Sequence, residues 1–387
     1  MRPSAHLTGP TRRKTHRRAR TSTLAVLALS ASVSLPAAAR ADSAAPSEEK
    51  TSWTVTDFPT PFAGLNSIDV DGSATVAVGF RIAPPFRFTA LAAAWDGTQW
   101  TRQRVRLDTD ATEVQLTDVD LQSPTRGWTV GRGFGGDGSG AITARWNGKT
   151  WKGVPTDGLS GDIGFAGVAA VGRKDVWAVG QEQIGATLKG TIAHYDGHTW
   201  THVDVPPLED VGDYTALSSV AASADGTLWA VGIGGVAIRY DGSSWKQVEL
   251  PKINGQYVDL QKVRSFASSG IWAVGYASVD HARLPVALHW DGTKWQTVQV
   301  PAGDHAQLND VSETATGVVA IGYRDDVTVF YGLRLDPDGP AQALKLPDGH
   351  DALFGSASSD DGKELWVVGS GSVGSEGKIA PFAAVRS

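Results

Sequence analysis

LQKVRSFASSGIWAVGYASVDHARLPVALHWDGTKWQTVQVP, residues 260–301, repeats in altered form LSSVAASADGTLWAVGIGGVAIRYDGSSWKQVELP, residues 217–251. Each copy holds several short β-rich runs separated by Gly or Asp-Gly. A unit of roughly 40 to 50 residues built this way is the sequence mark of a propeller blade or a related array. The Val/Ile-Gly step recurs at Gly79, Gly131, Gly180, Gly232, Gly275, Gly322 and Gly369, so the chain holds seven units. Its 14 tryptophans follow the same register. Trp128, Trp177, Trp229, Trp272 and Trp366 precede the glycine by three; Trp95, Trp146 and Trp290 precede an Asp-Gly or Asn-Gly pair, where Tyr195 and Tyr240 stand in two other units; Trp100, Trp151, Trp200, Trp245 and Trp295 follow the turn glycine by three.

The remaining tryptophan, Trp53, sits in TSWTVTDFP, which reads as the final strand of a unit with nothing in front of it. The seventh unit, Leu353 to Ser387, has the opposite defect and stops without a final strand. Pairing of Trp53–Pro59 with the C-terminal strands therefore predicts a closed ring. Closure removes the exposed edges that invite aggregation. With no cysteine in the chain, this non-covalent seam is the expected clasp. The fold read from the sequence is all-β, a seven-bladed β-propeller closed by an N-terminal strand on the C-terminal blade.

In TLWAVG both alternating faces are apolar, as in a strand buried between neighbours. Asp96, Asn147, Asp196, Asp241 and Asp291 precede glycine between β-rich runs and are read as hairpin-turn formers rather than metal ligands. The repeated tryptophans are read as inter-blade packing, each stabilising the fold by about 3 to 5 kcal/mol against truncation to Ala.

The first forty or so residues read as an address. Six basic residues between Arg12 and Arg20 lead into TLAVLALSASVSL and then Ala39-Arg40-Ala41, the pattern of a signal peptide cleaved near Ala41. The apolar run is too short to span a bilayer. The expected organisation is signal peptide 1–41, a short tail 42–50 and one propeller 51–387, secreted and without membrane insertion. Residues 1–41 hold eight of the 35 basic residues and none of the 41 acidic ones, which leaves 27 against 41, or about −14. Such a balance argues against nucleic acid and anionic membranes as partners.

Between the Val/Ile-Gly glycine and the turn glycine the first six units have 18, 17, 17, 10, 17 and 17 residues, so blade 4 lacks most of a hairpin its neighbours carry. Variable loops on a rigid scaffold are where recognition is placed. The expected binding face is therefore the one carrying the loops between strands 2 and 3. Its candidate residues are Phe80, Arg81, Phe86 and Arg87 in blade 1, Arg132 in blade 2, Tyr276, Asp280, His281 and Arg283 in blade 5, and Tyr323 and Arg324 in blade 6. Aromatic rings beside Arg and Asp stack on sugars or anchor a peptide. Catalytic signals are weak. GDGSG, residues 136–140, lacks the strand-turn-helix setting of a nucleophile elbow, and the pairs Asp280-His281, Asp304-His305 and His350-Asp351 are no metal constellation by themselves. No cofactor and no metal are expected.

The unit L-x-x-V, W-A-V-G, [WY]-D-G-x-x-W, V-x-[VL]-P resembles the repeats of tectonin-type, lectin-like propellers. Among secreted bacterial proteins it is most similar to the propeller subunits of umbrella toxin particles. That resemblance implies a non-enzymatic recognition subunit of an antibacterial assembly. Its implied partners are a small secreted adaptor protein, a large stalk-forming toxin polypeptide, and a glycan or other cell-surface receptor. A stand-alone carbohydrate-binding lectin and an extracellular propeller lyase or hydrolase are the alternative readings.

Overall fold

All strands but two, Trp53–Val55 and Val105–Arg106, find their partners within their own unit before the next begins. The computed structural model describes residues 52–136, 140–301, 305–324, 326–327, 329–348, 352–373 and 378–387. The expected signal peptide and tail lie outside the described residues. The described residues form seven sheets, one per repeat, with strands in sequence order from the axis outward. The innermost strands are Ala63–Asp71, Glu113–Ser123, Asp162–Gly172, Leu217–Ala222, Val258–Phe266, Ala306–Thr314 and Ala352–Ser358. Neighbouring innermost strands touch in succession, and Ala63–Asp71 touches both Glu113–Ser123 and Ala352–Ser358, which closes the circle. The fold is a seven-bladed β-propeller.

The seam is the one expected. Trp53–Val55 pairs antiparallel with Lys378–Arg386, with Trp53 opposite Arg386, and so becomes the outer strand of blade 7. Beyond the strand, the backbone N–H and hydroxyl of Thr56 both donate to the Ala383 carbonyl, at 2.9 and 3.0 Å. The Trp53 indole donates to the Lys345 carbonyl at 2.8 Å and ties the seam to blade 6.

Each blade is too thin to own a core, so the core lies between blades. Seven buried clusters are found among the described residues, each shared by two adjacent blades. The tryptophans do this packing. Trp229 of blade 4 meets Trp290 and Trp295 of blade 5 at 4.8 and 5.3 Å between ring centroids, and Trp366 of blade 7 meets Trp95 and Trp100 of blade 1 at 5.3 and 5.5 Å. Trp128 with Tyr195 and Trp200, and Trp177 with Tyr240 and Trp245, repeat the arrangement. In these four interfaces the W-A-V-G tryptophan sits in an edge formed by the next blade's turn aromatic and outer-strand tryptophan, whereas Trp272 packs with Leu333 and Leu335 of blade 6. Tilted and edge-on rings at these separations add to the area they bury.

The repeated glycine has a separate cause. In every blade the innermost strand carries a β-bulge after the first apolar residue of L-x-x-V, as between Leu260 and Lys262 in blade 5. The bulge pushes a carbonyl of that strand onto the glycine. A Cβ on Gly275 would collide with the Asp259 carbonyl oxygen, and one on Gly322 with that of Gln307. The same collision recurs at all seven glycines.

The Asp-Gly and Asn-Gly pairs form the expected turns. Asp291 Oδ1 accepts from the backbone N–H groups of Thr293 and Lys294, and Gly292 takes φ +99°. Asp96, Asn147, Asp196 and Asp241 do the same. One element departs from the repeat. The link from blade 1 to blade 2 adds a fifth strand, Val105–Arg106, parallel to Trp151–Gly153 on the outer edge of blade 2.

Candidate recognition surface and axial charge cluster

The alternation of strands gives the ring two faces. The hairpins between second and third strands open on one, and the Asp-Gly turns on the other. On the hairpin face the strands Gly270–Val279 and Ala282–Trp290 stay paired to their ends, so that Asp280 and His281 are the two residues of the turn, with φ +49° and +67°. Positive φ at both positions is what a tight two-residue hairpin turn requires. Asp280 and His281 are therefore exposed at the tip, and their backbone role in the turn is independent of any ligand.

Lower on that hairpin the sequence candidates converge. Arg283 places its guanidinium over the Tyr276 ring at 4.9 Å and donates from Nη1 to the Tyr323 hydroxyl of blade 6 at 2.6 Å. The chain continues through Gln307, within 3.5 Å of the Tyr323 hydroxyl, to Asn309, whose side-chain amide donates to the Leu353 carbonyl of blade 7. Burial, with Asp259 beside it, raises the Tyr276 phenol above its ordinary range. Tyr276, Arg283 and Tyr323 form one ledge across two blades.

The other candidates stand apart from that ledge. Arg324 makes a bidentate pair with Asp326 in its own hairpin, at 3.0 and 2.8 Å. Arg132 bridges blades 2 and 3 through Asp162 at 2.8 Å and lies over Phe134 at 5.2 Å. Phe80 packs edge-on to Phe88 at 5.1 Å, whereas Phe86 at the tip of the blade 1 hairpin is 87% exposed. Arg81 and Arg87 flank it, and blade 7 separates this group from blade 6. Asp304, His350, Asp351 and residues 137–139 of GDGSG lie outside the described residues. Among the described residues no three His, Asp or Glu side chains are grouped to hold a metal ion.

Blade 4 turns back at Gly234 and Gly235, both at positive φ, between strands Leu228–Gly232 and Ala237–Tyr240. Beneath the missing hairpin is a cavity of about 290 Å³ lined by Asp210, Gln247, Lys252 and Tyr257. Lys252 bonds Asp210 at 2.8 Å and sits 4.4 Å from the Tyr257 ring centre. These bonds from Lys252 and then Tyr257 hold the Asp210 carboxyl below its usual range.

A charge cluster absent from the sequence candidates lies at the axis. The third residue of L-x-x-V and the residue two beyond it contribute Asp118, Asp120, Lys262, Arg264, Asp310 and Asp69. Asp118 accepts from Ser67, from the backbone N–H of Val168 and, across the ring, from Lys262. Arg264 makes two bonds to Asp310, at 3.3 and 3.1 Å. Carboxylates also knit neighbouring innermost strands, Asp69 accepting from the Leu121 N–H, Asp120 from Ala170 and Asp310 from Ser356. A cavity of about 270 Å³ opens beside them toward the turn face, lined by Asp120, Lys262, Arg264 and the small residues Ala169 and Ala221. Burial raises Asp120 to about 8 with Asp69 adding to it, and burial raises Asp69 to about 6 against the pull of Arg264. The signal was present in the sequence: charges at one position of L-x-x-V, where the other blades place Ser or Gly.

Comparison with known proteins agrees on the fold and goes no further. No protein-family model matches the chain, and no curated protein sequence matches it. Among solved structures it is similar to YCF48 bound to D1 peptide, at 16% identity and TM-score 0.53 over 86% of this chain and 96% of that one. YCF48 from Cyanidioschyzon merolae aligns at 14% identity and TM-score 0.56, over 86% and 98%. The Cps50 (Swd1) propeller domain of Myceliophteria thermophila aligns at 12% and 0.57, over 86% and 99%. Identities this low establish a shared propeller architecture.

Proposed function

We propose that this chain is a secreted, non-enzymatic recognition propeller. In this reading it is a subunit of a multiprotein antibacterial particle of the umbrella-toxin type. A small secreted adaptor holds it on a large stalk-forming polypeptide, and its hairpin face meets a glycan or other receptor on the target cell. The observation that carries the recognition role is the ledge of Arg283 between Tyr276 and Tyr323. A stacked guanidinium with a hydroxyl partner in the next blade is a rigid aromatic and cationic surface formed before any ligand arrives, and preorganisation of this kind lowers the entropy lost on binding. Tyr and Arg are also the side chains that most often dominate binding energy. The assembly role rests on the repeat's resemblance, and the YCF48 complex with a peptide is a precedent for a propeller of this architecture holding a protein segment.

The test is binding of the purified chain to glycan and peptide arrays, repeated with Tyr276→Ala and Arg283→Ala. Loss of about tenfold or more in affinity, on the order of 1.4 kcal/mol, supports the reading. Polysaccharide turnover that disappears in His281→Ala would replace it with an enzyme.

A further inference from the structure

Five arginines, Arg81, Arg87, Arg102, Arg104 and Arg106, fall within 26 positions that contain one carboxylate, Asp96. They do so in a chain whose acidic residues outnumber its basic ones by 41 to 35. Asp96 is engaged in its own turn, accepting from Thr98 and Gln99. Among the described residues none of the five arginines has an ion-pair partner, whereas Arg132, Arg264 and Arg324 each have one. Four of the five are exposed and Arg81 is half-buried.

The fold gathers three of them, Arg81, Arg102 and Arg104, around one gap. The outer strand of blade 1, Trp100–Arg102, leaves its neighbour Arg87–Trp95 after Gln103 donates to the Ala92 carbonyl, and the chain crosses to blade 2 as the added strand Val105–Arg106. The gap left behind is a cavity of about 450 Å³, into whose walls Arg81, Arg102, Arg104, Gln103, Thr89 and Thr109 are built. Asp108 and Asp110 line the adjoining cavity on blade 2, which shares Leu107 and Thr109 with this one, and Glu113 accepts from the Phe88 N–H; among the described residues none of the three pairs with these arginines. Outside that lining, at the tip of the blade 1 hairpin, Phe86 is the third residue of the turn between Ala83 and Arg87, with φ +90° and its ring 87% in water.

We propose that this gap binds an acidic polysaccharide. The arginine forks take the carboxylate groups of the sugars, Thr89 and the side-chain NH2 of Gln103 offer polar groups to sugar hydroxyls, and Phe86 beyond the cavity meets a ring face. Guanidinium fits carboxylate bidentately, and three arginines around one gap suit an anion carrying several carboxylates better than a single one. The proposal rests on the recognition reading above and names a ligand class for it at a second place on the ring.

The experiment is affinity electrophoresis of the purified chain in gels containing polygalacturonate, dextran, polyglutamate or duplex DNA, at several salt concentrations. Polygalacturonate is expected to retard the protein, with retardation falling as salt rises. The double variant Arg102→Gln/Arg104→Gln should weaken that binding at least tenfold and flatten its salt dependence. Phe86→Ala should weaken retention by polygalacturonate, and both variants carry exposed substitutions whose thermal unfolding is compared with the parent. No retention, retention unchanged in the double variant, or equal retention by polyglutamate or DNA would overturn the proposal. A natural partner that stays bound to the double variant would remove this site while leaving the recognition reading standing.

Discussion

Lys262 of blade 5 reaches Asp118 of blade 2 across the axis, Nζ to Oδ1 at 2.8 Å, joining residues 144 positions apart. Two blades separate them on one side of the ring and three on the other, so the pair is a spoke rather than a contact between neighbours. Both groups are well buried, with 13% and 4% of the side chains exposed. Breaking such a pair from one side leaves a charge without a partner. Lys262→Met should cost about 3 kcal/mol in urea unfolding. Lys262→Met/Asp118→Asn should recover most of that loss, because the neutral amide put in place of the carboxylate can still accept from Val168 and pair with Ser67. Equal losses in the single and double variants would show that the spoke is not coupled.

The outer-strand tryptophans divide by the residue three beyond the equivalent tryptophan of the preceding blade. Trp100 donates to Thr56 at 2.9 Å and Trp151 to Gln103 at 2.6 Å. At the matching positions Val154, Val203 and Val248 offer no acceptor, and the indole N–H groups of Trp200, Trp245 and Trp295 are buried without a partner. An unmade buried bond costs about 1 to 3 kcal/mol. Thr56→Val should therefore lower stability by about 1 to 2 kcal/mol, and Val203→Thr should raise it by about 1 kcal/mol through a new bond to Trp245. Thermal unfolding of the two variants reads both signs.

Asp69 and Asp120 are raised above the ordinary carboxylate range in the folded ring, so folding favours their protonated forms. A raised acid contributes stability that is full below the unfolded value near 4 and is lost as pH climbs through the folded values, about 6 and about 8. The protein should be more stable at pH 5 than at pH 8.5, with the loss continuing up to about pH 8. Asp120→Asn keeps an acceptor for Ala170 and should flatten that dependence. A melting temperature independent of pH over this range would contradict the assignment.

Much of the ring was legible because the packing repeats. Trp229 and Trp366 recur at one offset from glycine since the same inter-blade wedge recurs, and the unpaired Trp53 strand matched the strand missing from blade 7. The axial cluster was harder to read. Asp118 and Lys262 belong to different repeats, and only ring closure together with the bulge in each innermost strand turns both toward one axis. The glycine's reason was hidden too, since the carbonyl that excludes a side chain at Gly275 comes from a strand whose bulge has no sequence mark of its own. On the hairpin face the residue types were visible but their pairing was not. Arg283 and Tyr323 lie 40 positions apart and meet because blades 5 and 6 are adjacent. The parallel strand Val105–Arg106 looks like any linker until Trp151 is placed opposite Val105.

The recognition role proposed for this ring within a larger secreted assembly is tested most directly by a native pull-down of the tagged protein from its producer's culture medium, with mass spectrometry of what accompanies it. A small secreted protein and a very large repeat-bearing polypeptide should accompany the propeller in constant ratio. Recovery of the propeller alone, as a monomer, would contradict it.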